Sequence, residues 1–146
     1  APSVTYTSWS SGLCLGVASP VPAAGSTLRV ATCGSPTARA FRTPAVGAGL
    51  ALVDPVTGLC VEVAGASSAD GAQVVLATCA NRTYQQFRTS ATAYSDGMVR
   101  LVAVHSGKCL DIADQAYARP GSVVHQWTCH TAWEERGLRN QSWHQS

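Results

Sequence analysis

The sequence predicts an all-β domain built from three related units, and three observations predict it. A Gly-x-Cys segment followed by apolar residues occurs as Gly12-Leu13-Cys14-Leu15-Gly16-Val17, Gly58-Leu59-Cys60-Val61-Glu62-Val63 and Gly107-Lys108-Cys109-Leu110-Asp111-Ile112. A second cysteine follows each first one, Cys33, Cys79 and Cys129, at separations of 19, 19 and 20 residues, and each unit closes on an aromatic, Phe41, Phe87 or Trp143. Between these marks Pro and Gly cut the chain into short apolar runs of strand composition, with no helical periodicity longer than a turn or two. A repeat of roughly 45–50 residues cannot bury its own apolar face, so three copies closing on one axis must share a core.

The elements follow in chain order. In each copy the residues one and three after the first cysteine are apolar: Leu15 and Val17, Val61 and Val63, Leu110 and Ile112. That alternation is what a half-buried strand requires. Further strands are predicted at Leu50–Val53, Gln73–Leu76, Val99–Val104 and Ser122–Trp127. The small, polar stretch from Ala64 to Gly71 reads as a loop. Phe41, Phe87 and Trp143 are expected in the core near the pseudo-threefold axis, because they recur at one position.

Size and charge narrow the function. A chain of 146 residues is one domain of ordinary size, read as residues 1–146 with copies at about 1–46, 47–92 and 93–146. Charged residues make up 12% and the net charge is +2, with a single lysine, Lys108, and scattered arginines. A nucleic-acid binder driven by charge needs a dense basic face, so that class is set aside. No apolar stretch approaches the ~18 residues of a membrane span, and a soluble domain without membrane insertion is expected.

The six cysteines are all accounted for by the repeat, which argues for three disulfides, one per copy. Zinc would favour closer Cys-x2–4-Cys spacing, so no metal or other cofactor is expected. Each bridge closes a loop worth roughly 3 kcal/mol in the chain-entropy model. Paired cysteines imply an oxidising compartment, hence a secreted protein. Ala1-Pro2-Ser3 reads as a mature terminus or an expression boundary, with no signal peptide in front of it. Asn81-Arg82-Thr83 and Asn140-Gln141-Ser142 both fit the N-glycosylation pattern.

The third copy carries a distinctive set of residues: Gly107-Lys108-Cys109-Leu110-Asp111-Ile112, then Val124-His125-Gln126-Trp127-Thr128-Cys129-His130, then Asn140-Gln141-Ser142-Trp143. The last of these is a Gln-x-Trp motif, which reads Gln85-Gln86-Phe87 in the second copy and Arg39-Ala40-Phe41 in the first. With these residues the chain resembles the ricin-type β-trefoil lectins and carbohydrate-binding modules over nearly its whole length. The resemblance implies a β-trefoil of twelve strands with up to three shallow sugar sites, one per copy. It implies that a carboxylate two residues after the first cysteine accepts hydrogen bonds from sugar hydroxyls. An aromatic two residues before the second cysteine would stack on the sugar, and a polar residue two positions earlier plus an Asn-Gln pair would complete the set.

The chemistry agrees with this pattern. A pyranose has a face of C–H groups and a rim of hydroxyls; an aromatic ring packs on the first and planar polar side chains pair with the second. The third copy has every part: Asp111 as carboxylate, Trp127 as platform, Asn140 and Gln141 as the amide pair, and His125 where the family usually has Gln. The second copy has Glu62, Val75, Ala77 and Tyr84-Gln85, and the first has Gly16, Arg29, Ala31 and Ala38-Arg39. Weak binding or none is expected in the second, and a purely structural role in the first. A glycan on Asn140 would block the third site, so the ligand role is preferred there.

The third copy also carries an insertion. From second cysteine to closing aromatic the spans are 8, 8 and 14 residues. The extra residues fall in 130–139, which holds Trp133, Glu134, Glu135, Arg136 and Arg139. A lengthened loop beside the one intact site could add selectivity, as could Tyr117, but loops also tolerate insertion cheaply.

Three functions compete. The first is non-catalytic binding of a mono- or polysaccharide through the third copy. Galactose-like or pentose-containing glycans are expected, tethering a secreted protein or a covalently linked catalytic domain to polysaccharide. The second is a protein-interaction or inhibitor β-trefoil. The third is a glycoside hydrolase pairing Asp111 with Glu134 or Glu135; with no evident pocket around those residues, no catalytic residues are assigned.

Overall fold

The computed structural model describes residues 3–91, 98–113, 118–130 and 140–146. Among these it contains fourteen short strands: β1 (Ser3–Val4), β2 (Tyr6–Ser8), β3 (Cys14–Val17), β4 (Leu28–Ala31), β5 (Phe41–Arg42), β6 (Ala45–Val46), β7 (Gly49–Leu50), β8 (Cys60–Val63), β9 (Val74–Ala77), β10 (Phe87–Ala91), β11 (Met98–Ala103), β12 (Cys109–Ile112), β13 (Val124–Trp127) and β14 (Trp143–Gln145). Two 3-10 turns, Ala64–Ala66 and Thr83–Gln85, are the only helical elements described. The strand count exceeds twelve by two because the chain is interrupted at Thr5, between β1 and β2, and at Thr43-Pro44, between β5 and β6; β6 and β7 form an antiparallel hairpin. The predicted Leu50–Val53 strand is likewise broken: Leu50 ends β7, and Val53 pairs alone with Arg42 and Cys60.

The architecture is a three-lobed β-trefoil. In each copy a four-residue hairpin carries the first cysteine: β3 pairs with β4, β8 with β9 and β12 with β13, all antiparallel. The three hairpins meet at isolated bridges Thr27↔Val75, Gln73↔His125 and Arg29↔Val123, forming a cap. Below it β14 pairs with both β2 and β11, while β10 pairs with β11 and β7. The last strand thus closes on the first copy, and Thr5 and Ser146 exchange both backbone hydrogen bonds at 2.9 and 3.0 Å. Closure matters because an open edge would leave a row of unpaired backbone groups.

The turn before each hairpin repeats in detail. Ser8, Asp54 and Ala103 donate their amides to Leu13, Leu59 and Lys108, and the amides of Gly12, Gly58 and Gly107 return to the same three residues. The three glycines have φ of 71°, 74° and 73°, a left-handed conformation that costs a side chain energy and glycine little. This explains the Gly-x-Cys signature: the glycine turns the chain and the cysteine opens the strand. The bridges are Cys14–Cys33, Cys60–Cys79 and Cys109–Cys129, one per copy, and use all six cysteines.

The core draws matching residues from each copy. Leu15, Val61 and Leu110, then Val63 and Ile112, are fully buried, and Val17 nearly so. Phe41, Phe87 and Trp143 are fully buried in the same cluster, as expected from their repeated position. Each is the first residue of its strand, which anchors the lower barrel to the shared interior.

Candidate functional site

The strand registers bring three of the five predicted site residues together. Asp111 lies opposite His125 across the β12–β13 pair, and Cys109 lies opposite Trp127. His125 and Trp127 are two apart on one strand, so their side chains share a face. His125 Nε2 donates to Asp111 Oδ1 at 3.1 Å. Its ring lies against Trp127 with centroids 5.4 Å apart and planes 22° from parallel. Trp127 is 39% exposed, whereas Asp111 is 6% exposed.

Gln141 holds the carboxylate from the other side. Its Nε2 donates to Asp111 Oδ2 at 2.9 Å and to the Thr128 carbonyl at 2.9 Å. Its Oε1 accepts from the His130 amide at 2.8 Å. Gln141 is fully buried, so it orients Asp111 from beneath the surface. Asn140 is 4% exposed and its carbonyl accepts from the Ile112 amide, tying the motif to the end of β12. The whole Asn140-Gln141-Ser142 sequon is buried, whereas Asn81 is exposed.

The second copy repeats this scaffold with a different surface. Gln85 Nε2 donates to Glu62 Oε1 and to the Thr78 carbonyl, both at 2.9 Å, and the Ala80 amide donates to Gln85 Oε1 at 2.8 Å. Opposite Glu62 stands Val75, and opposite Cys60 stands Ala77. The carboxylate is held but faces no platform on β9. In its neighbourhood Tyr84 takes the Asn position and meets Arg82, whose guanidinium donates to the Tyr84 hydroxyl at 2.8 Å.

The first copy is filled in. The Thr37 carbonyl accepts from the Val17 amide at 2.9 Å and lies so close to Gly16 that a Cβ there would overlap it. No carboxylate fits at that position. Arg39, in the Gln position, is 6% exposed and pairs with fully buried Asp54 at 2.7 Å. Its remaining nitrogens donate to the Pro36 and Pro20 carbonyls.

A wall of the third site comes from the second copy, which the sequence reading took as a plain loop. Asp70 accepts from the Thr128 amide at 2.6 Å and from its hydroxyl at 2.9 Å, and pairs with Lys108 at 3.3 Å. Burial alone would push the Asp70 carboxyl up, but Thr128, with Lys108 alongside, holds it below the usual carboxylate range. Gly71 faces the Trp127 ring: a Cβ on it would be 3.9 Å from the indole. Gln126 pins this loop. It is fully buried where the other copies place Val30 and Leu76, and its amide donates to the Ser67 and Ala69 carbonyls at 3.0 and 2.9 Å. That swap of a core aliphatic for Gln was the available sequence signal. Tyr117, Trp133, Glu134, Glu135, Arg136 and Arg139 lie outside the described residues.

A closed barrel capped by three hairpins, with an exposed tryptophan beside a held carboxylate, has the architecture of the β-trefoil class. The chain belongs to the ricin-type β-trefoil lectin domain-like family, whose model matches residues 2–77, 47–127 and 83–145. Among solved structures it is similar to ThreeFoil, a designed 3-fold symmetric protein, with 28% identity and a TM-score of 0.82 over 97% of this chain and 96% of that one. It is similar to the exo-β-1,3-galactanase 1,3Gal43A from Clostridium thermocellum, with 21% identity and a TM-score of 0.82 over 99% of this chain but 30% of that one. A third similar structure is the Macrolepiota procera ricin B-like lectin in complex with lactose, with 17% identity and a TM-score of 0.74 over 100% of this chain and 96% of that one. No match was found among curated protein sequences. Family membership shows carbohydrate binding without catalysis, which sets the hydrolase alternative aside.

Proposed function

We propose that the chain binds one sugar through its third copy, with Trp127 as the stacking platform, Asp111 as the hydroxyl acceptor, Asn140 and His125 as flanking polar groups, and Gln141 positioning the carboxylate. One observation carries this reading. Among the described residues, Asp111 is the carboxylate that is both held by a motif Gln and next to an exposed aromatic on the paired strand. Glu62 is held equally well but faces Val75 and Ala77. The structurally similar Macrolepiota lectin was solved with lactose, which supports a galactose-like ligand over the pentose-containing alternative.

A single shallow site binds weakly, and a Kd near 1 mM corresponds to about −4 kcal/mol. Useful retention then requires a polymeric ligand or attachment to another domain. The galactanase, of which this chain matches 30%, supports such a tethering role. Three disulfides suit an oxidising compartment, so the protein acts after secretion.

A glycan-array screen of the wild type beside Trp127→Ala tests the reading. Binding to galactosides or pentose polymers that disappears in the variant is expected. A folded wild type that binds no glycan would sink the sugar reading and shift the weight to a protein partner.

A further inference from the structure

We propose that His125 is a proton-operated plug of the third-copy site, closing it when protonated. The proposal rests on the sugar-site reading above and adds its regulation. The imidazole touches both groups assigned to the sugar: Nε2 is 3.1 Å from Asp111 Oδ1, and the ring lies on Trp127 at 5.4 Å and 22°. A pyranose that stacks on this face of Trp127 while hydrogen-bonding Asp111 needs the space the imidazole covers. The ring must therefore slide off Trp127 before the sugar seats, and it flanks the bound sugar only from that displaced position. The other copies have no such bridge. Val75 stands at the equivalent position in the second, and in the first Arg29 donates to Thr27 Oγ1 and the Gly121 carbonyl.

Protonation strengthens both contacts in the same direction. Neutral imidazole makes one hydrogen bond to the carboxylate and an ordinary stack on the indole. Imidazolium adds an ion pair with Asp111 and a cation–π contact with Trp127. The two side chains of the pair are 18% and 8% exposed, so salt screens them little. Histidine is the side chain whose ordinary titration falls between about pH 5 and 8.

Among the described residues, the surrounding charges leave this pair to itself. Across the strand pair, β12 contributes Asp111. From β4 comes Arg29, whose guanidinium is engaged on Thr27 and Gly121. The strand β9 contributes no charged residue, and beyond Trp127 the carboxylate of Asp70 pairs with Lys108. Among the described residues, Asp111 is therefore the charge an imidazolium meets. A proton that tightens the closed form is held less tightly once sugar has entered. By linkage, protonating the imidazole weakens sugar binding.

Calorimetric titration with galactose and with arabinose and xylose oligosaccharides, for the wild type and His125→Gln, reads this directly. Wild-type affinity is expected to fall about tenfold from pH 8 to pH 5, while the variant, at whatever affinity it binds, shows no such fall. Equal slopes in the two proteins, or a flat wild type, overturn the plug and leave the sugar site standing. No binding by either protein at any pH overturns the site and the plug together. In the ligand-free protein the His125 ring protons should carry an upfield ring-current shift that Trp127→Ala removes. A wild type without that shift lacks the contact and refutes the proposal.

Discussion

Gln141→Met separates the site from the fold, because Gln85 offers the same test on the second copy. Methionine keeps the volume and loses the amide. The change removes three hydrogen bonds, to Asp111 Oδ2, the Thr128 carbonyl and the His130 amide. The two backbone bonds contribute about 1 kcal/mol each and the bond to the carboxylate about 1.5–3, for a loss of roughly 4 kcal/mol. For a chain of this size that lowers Tm by roughly 10 °C, seen by thermal or denaturant unfolding. Gln85→Met removes the matching bonds to Glu62, Thr78 and Ala80 and should lose a similar amount. The two variants should part in sugar binding. Gln141→Met frees the Asp111 carboxylate to rotate and weakens binding at least tenfold, whereas Gln85→Met leaves it near the wild-type value. Equal loss of binding in both, or full binding by a destabilised Gln141→Met, would refute the division of labour between the copies.

Other perturbations have equally definite outcomes. Arg39→Met leaves fully buried Asp54 with the Val56 amide and the Thr57 hydroxyl but without its charge partner, and should cost about 3–5 kcal/mol in urea unfolding; adding Asp54→Asn, which removes the charge and keeps an acceptor, should recover part of that loss. Gly16→Ala forces a methyl into the Thr37 carbonyl and should cost roughly 1–3 kcal/mol without changing sugar affinity. The Tyr6 hydroxyl is buried with no hydrogen-bond partner among the described residues, and burial pushes it up to about 12. Its contribution is therefore complete below the unfolded tyrosine value near 10 and is lost as pH rises from there to about 12, a loss of roughly 2–3 kcal/mol. Stability measured across that range should fall in the wild type, and Tyr6→Phe should flatten the fall.

Much of the fold was legible because the repeat encodes it three times. Gly12, Gly58 and Gly107 mark the same left-handed turn, and the paired cysteines mark the same hairpin, so each copy checks the others. The family resemblance named Asp111, His125 and Trp127 as one group, and the β12–β13 register places the three side by side. Less legible was the role of Gln141: a motif position does not say whether a side chain touches ligand or supports the group that does, and here the amide is spent inside. The Asp70 and Gly71 wall was missed because it crosses from the second copy to the third, a contact set by tertiary packing. The closed first copy was visible only as absent residues; the Thr37 carbonyl that fills it is a backbone group, on which no side-chain pattern reports. The break of the predicted Leu50–Val53 strand, with Leu50 ending β7 and Val53 left as an isolated bridge, had no sequence signal, since Leu50–Val53 has good strand composition throughout.

The most direct test of the central claim, one competent site in the third copy, is an NMR titration of the wild type with the glycan selected on the array. The account predicts a single saturable set of shifts that includes the Trp127 indole and the backbone of Asp111, His125 and Thr128. Shifts centred on Glu62, Tyr84 and Gln85, or two sets saturating independently, would contradict it.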